Sequence, residues 1–238
     1  MPEVVVIGAR GYTGSELLPL LWRHPDLELQ AVASRSAAGQ AVADSVPGLD
    51  GCSLLFSDIT PGSLARHVAD AYVLALPNGQ AAEYVAAIDA LGNDAVVVDL
   101  SADHRFDDAW VYGQPERFRE RISGARRIAN PGCYATGMQL ALAPLIDRLQ
   151  APPVVFGVSG YSGAGSTPSR KNDPDVLRDN LLPYALADHV HEREVSRHLG
   201  HEVRFLPHVA PFFRGISLTV SVLIDPPMEP DELEALYR

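Results

Sequence analysis

The chain has 238 residues, 47% of them hydrophobic and 21% charged, the balance of a globular protein with enough length for one large or two medium domains. Nineteen Lys and Arg against thirty Asp and Glu give a formal net charge of −11, which speaks against nucleic acid or an anionic membrane surface as the main partner. Cys52 and Cys133 are the only cysteines, too few for a secreted disulfide framework; with no basic leader and no apolar run near the roughly 20 residues of a membrane span, the sequence predicts a cytoplasmic protein.

Val4 to Ile7 is a short β-branched run, followed by Gly8-Ala9-Arg10-Gly11-Tyr12-Thr13-Gly14 and then by Leu17, Leu18, Leu21 and Trp22 at helical spacing. Strand, glycine turn and helix open a dinucleotide-binding βαβ unit, whose glycines permit a tight turn, close approach to a pyrophosphate and close helix packing. Gly8, Arg10, Gly11, Tyr12, Thr13 and Gly14 are therefore candidate cofactor contacts. The spacing is G-x-x-G-x-x-G in place of the commoner G-x-G-x-x-G, and Thr13 with Glu16 also reads as a capping box, a purely structural use of the same stretch.

The next strand, Leu27 to Ala33, ends at Ser34-Arg35-Ser36. Ser34 and Arg35 stand where an Asp or Glu would bind the ribose 2′-hydroxyl of NAD; a cation in place of a carboxylate predicts NADP, with Arg35 on the 2′-phosphate. Cys52 lies in a loop-rich stretch without chemical company and reads as a structural thiol. Val73 to Leu76 predicts a third core strand ending at Pro77-Asn78-Gly79, a turn at a strand's carboxyl end, where ligands of open α/β sheets bind, so Pro77 joins the cofactor candidates. Ala82, Val85, Ile88 and Leu91 mark a helix stopped by Gly92. Ala95 to Leu100 is a further strand leading into Ser101-Ala102-Asp103-His104-Arg105, where Ser101 and Arg105 either meet a substrate anion or belong to a solvated polar loop. Tyr112 to Glu116 predicts a turn and Arg126 to Ala129 a short strand. This alternation argues for a doubly wound parallel sheet.

Asn130-Pro131-Gly132-Cys133-Tyr134-Ala135-Thr136 sets a cysteine on a Pro-Gly turn ahead of Met138, Leu142, Leu145 and Leu149 at helical spacing. Cys133 then falls in the first turn of a helix, where unpaired N–H groups and the positive end of the dipole favour thiolate over thiol and make a nucleophile. The alternative is a small buried core residue. Asn130, at the head of the turn, is a candidate substrate contact.

The organisation changes at Ala151-Pro152-Pro153. Val154 to Val158 reads as a strand, Ser159 to Ser166 as a flexible glycine-rich loop, and Val203–Leu206 and Ile216–Ile224 as strands close together, as in an antiparallel sheet. The expected division is residues 1–150 and an α+β domain of mostly antiparallel sheet over 151–238. In the latter, His189, His191 and Glu194 sit at a predicted helix start, where His191 and Glu194 share a face and the carboxylate would orient or charge the imidazole. A metal site is not expected, since H-x-H on a helix points the rings apart and no third ligand is spaced to match. Arg214 is a further anion-binding candidate.

The glycine turn, Asp99-Leu100-Ser101-Ala102-Asp103-His104-Arg105, the Asn130 to Thr136 motif, the Val158 to Gly165 loop, His189-x-His191-x-x-Glu194 and Pro207-His208 with Arg214-Gly215 occur in the order seen in the N-acetyl-gamma-glutamyl-phosphate reductases of arginine biosynthesis. The chain resembles that family over nearly its whole length. The resemblance implies a Rossmann domain plus a dimerising α+β domain, NADPH as donor, a small acyl-phosphate substrate, and a homodimer or homotetramer. It also implies Cys133 as nucleophile and one of His189 and His191 as its acid/base partner. Aspartate-semialdehyde dehydrogenase chemistry on a shorter substrate, and non-catalytic NADP binding, are the alternatives. Two departures stand out: the family usually has Phe where His104 stands, and family members continue beyond Arg238, where this chain stops in mid-helix by its pattern, so a truncated form is expected.

Overall fold

A computed structural model describes residues 1–238, which divide into two units, Met1–Pro131 and Gly132–Arg238. The division falls earlier than the expected boundary near residue 150, and the packing gives the reason. Tyr134, Met138 and Leu142 bury their side chains with Val155, Val195, Val203 and Phe205 in the core of the second unit, so the helix that begins at Cys133 belongs there.

In the first unit β1 (Glu3–Ile7) leads through the glycine turn to α1 (Tyr12–Trp22) and β2 (Glu28–Ala33), followed by α2 (Val42–Ser45) and β3 (Phe56–Ser57). Then come β4 (Ala71–Leu74), α3 (Ala81–Asp89), β5 (Val96–Asp99), β6 (Val111–Tyr112), α4 (Pro115–Ile122) and β7 (Arg127–Ala129). The seven strands form one parallel sheet in the order β3-β2-β1-β4-β5-β7-β6. Runs such as Val4-Val5-Val6-Ile7 are buried on both faces, as a parallel sheet covered by helices requires. Because the strand order reverses beside β1, the turns after β1 and β4 flank a crevice at the carboxyl edge, where such sheets bind ligands.

Helix α4 starts within the expected turn, at Pro115, and runs on through residues for which the sequence suggests no element, while Gly113 and Gln114 stay outside regular structure. Its sequence is Arg-rich and none of its residues is buried, and Phe118 breaks the helical backbone with φ −129°, packed under the guanidinium groups of Arg117 and Arg121 at 4.8 and 5.6 Å.

The second unit comprises α5 (Cys133–Leu142), β8 (Val154–Gly160), α6 (Pro174–Leu177), β9 (Leu182–Pro183), α7 (Val190–Leu199), β10 (Arg204–Ala210), β11 (Ile216–Ser221) and α8 (Pro230–Ala235). The helical spacing through Leu149 is not one helix: Pro144 has no N–H to continue the ladder, and the chain tightens into 3₁₀ turns over Ala143–Arg148. The sheet order is β11-β8-β10-β9. Antiparallel pairs lie at both edges, but the central β8–β10 pair is parallel, and β8 stands between the two strands expected to be neighbours. One face packs on α5 and α7 through Val155 and Phe205; the other leaves Val154 and Phe156 exposed, with the His208 ring 4.5 Å from that of Phe156.

Candidate active site

The glycine turn after β1 is built for close approach. Gly8 has φ +89°, and a Cβ there would lie 2.5 Å from the Ala75 carbonyl oxygen, while a Cβ at Gly14 would lie 2.3 Å from that of Ala9. Nothing lies within 4 Å of the corresponding point at Gly11, so the turn is open to a ligand there. Gly11 caps α1 without any side-chain bond. Thr13 therefore sits inside the first turn, exposed beside Tyr12, and the capping box with Glu16 does not form. N–H groups of a first helical turn lack partners within the helix and favour an anion such as a pyrophosphate.

Arg10 donates to the Ser36 hydroxyl at 2.7 Å, and Ser34 is buried with its N–H on the Ser57 carbonyl at 3.0 Å. Arg35 reaches into solvent with its Nε 3.6 Å from Asp58 Oδ1. A cavity of about 230 Å³ opens here, lined among others by Gly8, Ser34, Arg35, Asp58, Ile59 and Tyr84. Glycine cradle, anion-seeking helix start, apolar wall and guanidinium fit the phosphates, adenine and 2′-phosphate of a dinucleotide. Asp58, Ile59 and Tyr84 escaped the sequence reading because nothing local marks them; they arrive through the β2–β3 pairing and the helix after β4.

Pro77 is exposed after β4, on a turn tied to the turn after β5: Asn78 Oδ1 accepts the Ala102 N–H at 3.0 Å, and Asp103 accepts those of Gly79 and Ala81 at 2.7 and 3.2 Å. Ser101 and Arg105 are buried within this second turn. The Ser101 hydroxyl donates to fully buried Asp99 at 2.8 Å, and Asp99 also meets His104 Nδ1 at 2.6 Å, with His104 stacked 3.9 Å from Trp110. Arg105 donates to the carbonyls of Asn130 and Leu100 at 2.8 and 3.1 Å, which makes it a strut for the segment that leads into the cysteine turn. Of the two readings of this turn, the solvated polar loop does not hold: the turn is internally bonded. Asn130 donates its own N–H to the Asp99 carbonyl at 2.8 Å.

In the second unit Cys133 is the exposed first residue of α5, with Gly132 as N-cap and no side chain capping the helix. Without such a cap, the first-turn N–H groups of Tyr134 and Ala135 have no acceptor inside the helix. Fully buried Glu194 accepts the Gly132 N–H at 2.8 Å, fixing the turn from α7. Tyr134 is buried and donates to the His208 carbonyl at 2.9 Å, pinning α5 to β10.

His189 is the N-cap of α7, and its Nδ1 accepts the His191 N–H at 3.0 Å. The rings of the two histidines lie 4.9 Å apart, and that of His191 is 6.1 Å from Tyr134. Burial, and then the Lys171 ammonium, hold His189 below the ordinary imidazole range; neutral with Nδ1 accepting, it carries its proton on Nε2. Tyr184 packs 5.6 Å from His189, and the Lys171 ammonium lies 5.0 Å from the Tyr184 ring. Burial, and then the neighbouring Tyr134 and Cys133, push the Tyr184 phenol up, so it remains a neutral donor. Tyr184 and Lys171 were missed because they lie in a stretch without periodicity. Arg214 is exposed with its guanidinium 5.2 Å from the Phe213 ring. The glycine loop beside it is ordered by pairing, Gly160 donating to Gly215 at 2.9 Å.

The family model for the NAD binding domain of semialdehyde dehydrogenases matches residues 3–125, and that for their dimerisation domain matches residues 133–238. An N-acetyl-gamma-glutamyl-phosphate reductase of Xanthomonas axonopodis pv. citri is 54% identical over 232 residues, 98% of this chain and 73% of the relative. One from Xylella fastidiosa is 55% identical over 98% of this chain and 71% of its own length. Among solved structures, aspartate semialdehyde dehydrogenase II of Vibrio cholerae complexed with ASA superposes with a TM-score of 0.77 at 17% identity, covering 99% of this chain and 78% of that one. The Candida albicans aspartate semialdehyde dehydrogenase with NADP gives 0.72 at 16% identity, covering 99% and 76%. The chain belongs to the semialdehyde dehydrogenase family, and within it to the N-acetyl-gamma-glutamyl-phosphate reductases.

Proposed function

We propose that the chain reduces N-acetyl-gamma-glutamyl phosphate to the semialdehyde, releasing phosphate, through a thioester on Cys133. The observation that carries this reading is the exposed cysteine at a helix start without a side-chain cap, its turn held by Glu194, with the His191 ring 6.1 Å from that of Tyr134, the next residue. The Cys133 thiolate attacks the acyl carbon, the C–O bond to phosphate breaks with its electron pair leaving on phosphate, and the acyl group stays on sulfur. NADPH, when bound, supplies the hydride that reduces this thioester. Gly8, Arg10, Gly11, Tyr12, Thr13 and Gly14 would hold its pyrophosphate and Arg35 its 2′-phosphate, with Ser34 and Pro77 on the rim.

His191 acts as acid and base: it takes the thiol proton and manages the proton of the hemithioacetal oxygen. His189 is the less suited of the pair, because its Nδ1 is committed to the helix cap and a second proton there would break that bond. First-turn N–H groups of α5 stabilise the oxyanion, a contribution of roughly 3–4 kcal/mol per donor where measured. Arg214, exposed on the second unit, binds an anionic group of the substrate, and Lys171 adds a cation beside the histidines; Ser101, Arg105 and Asn130 serve through the bonded turn that leads into the cysteine segment. The exposed apolar sheet face around Phe156 is where a second copy packs, giving a homodimer or homotetramer, in the cytoplasm.

Substituting Cys133→Ser tests the covalent step. Turnover should fall on the order of 10³-fold or more, and mass spectrometry with nucleotide withheld should find the acyl adduct on the wild-type protein alone. Near-wild-type turnover by the serine variant would sink the mechanism.

A further inference from the structure

The residue that sits against Arg35 carries an unexpected charge. Strands β2 and β3 run parallel with Ala33 opposite Ser57 as their last pair, so the residues beyond them, Ser34-Arg35 on one and Asp58 on the other, emerge together at the carboxyl edge. Arg35 Nε and Asp58 Oδ1 are 3.6 Å apart, with side chains 77% and 51% exposed. The pair is open to a ligand, and an exposed pair of this kind is weak, so a ligand can exchange for either partner. It stands at the mouth of the 230 Å³ cavity, whose wall includes the Tyr84 ring, fixed by its hydroxyl on the Ile59 carbonyl at 3.0 Å.

The two nicotinamide nucleotides differ only at the ribose 2′ position, and Asp58 acts on them in opposite senses. A 2′-phosphate, near −2 at neutral pH, must take Arg35 from Asp58 and then lie within a few ångströms of that carboxylate. A 2′-hydroxyl is neutral, leaves the ion pair in place and can donate to the carboxylate. We propose that Asp58 is a specificity-determining residue that restrains the preference for NADPH created by Arg35 and keeps the site open to NADH. This rests on the reading that the crevice takes a nicotinamide nucleotide.

The test is Asp58→Asn in the full chain, with dissociation constants for NADPH and NADH measured by fluorescence titration in the absence of substrate. The neutral amide keeps the shape and removes the charge. The NADPH constant should fall about threefold to fivefold, on the order of one exposed charge contact, while that of NADH changes less than about twofold; added salt should narrow the difference between variant and wild type, as it screens exposed charges. A wild-type protein that binds NADPH, with the ratio of the two constants unchanged in the variant, would overturn the role of Asp58 and leave the functional reading standing. A wild-type protein that binds neither nucleotide would overturn both.

Discussion

Glu194, fully buried on α7, accepts the N–H of Gly132 at 2.8 Å, so the residue before Cys133, the proposed nucleophile, is held by a carboxylate from another helix. The spacing of the sequence pairs it with His191; the structure shows it bonded to the cysteine turn. Replacing Glu194 with Ala strands a buried donor and should cost about 1–3 kcal/mol of stability. A displaced nucleophile should also lower kcat by about 10²-fold. Glu194→Gln keeps an acceptor at the same reach and should recover most of the stability. Urea midpoints and steady-state rates for both variants would decide; equal loss in the two would mean that charge, not the bond to Gly132, is what matters.

The glycines of the first turn should behave differently from one another. At Gly14 an added Cβ meets the Ala9 carbonyl at 2.3 Å, whereas at Gly11 it meets nothing within 4 Å. Gly14→Ala should therefore destabilise the first unit by about 1–3 kcal/mol, the range of an overpacked core position. Gly11→Ala should melt with the wild type yet bind NADPH about tenfold more weakly, because its methyl group would enter the space proposed for the pyrophosphate. Thermal melts with and without nucleotide separate the two effects.

Arg105 should matter for stability as well as for catalysis. Arg105 is buried and its guanidinium bonds to the Leu100 and Asn130 carbonyls are partly so, and a lysine cannot reproduce a planar fork. Arg105→Lys should lower both the unfolding midpoint and kcat/KM, with a destabilisation of about 1–3 kcal/mol for the carbonyls left unpaired. A variant with wild-type stability and a raised KM alone would make Arg105 a substrate contact and nothing more.

What was legible in the sequence was local. The β1 run, the glycine turn and α1 occupy contiguous residues, and the Cys133 helix start was marked by Pro131-Gly132 and the periodicity behind them. Features that depend on distant pairing were not legible: Glu194 and Gly132 are 62 residues apart, and Asp58 reaches Arg35 only through the β2–β3 register. Composition also misled. The Pro-Pro pair at 152–153 drew the expected boundary to residue 150, although the apolar face of α5 packs with Val155 of β8, Val195 of α7 and Phe205 of β10. The charge of α4 hid a helix, and the order β11-β8-β10-β9 interleaves strands that the sequence presents side by side.

His189 should set an acid limit to stability while His191 sets the catalytic one. An imidazole held low in the folded state stays neutral where the unfolded one, near about 6.5, takes up a proton. Its contribution to stability is therefore complete above that value and is lost as pH falls through the window down to the lowered folded value. His189→Asn keeps a good N-cap for α7 and removes the titration. The variant should match the wild type at pH 7.5 within about 1 kcal/mol, and should lose less stability than the wild type between pH 6.5 and 5.5, the window in which the unfolded imidazole protonates. Lys171→Met should narrow the window, because the ammonium is the second cause that holds His189 down. On activity the order reverses: His191→Asn should lower kcat/KM by about 10²- to 10⁴-fold, the usual contribution of an acid/base group, and abolish the acid limb of its pH profile. His189→Asn should keep that limb. Urea midpoints across pH, set beside the two kinetic profiles, test the assignment, and loss of the limb in His189→Asn with its retention in His191→Asn would exchange the two roles.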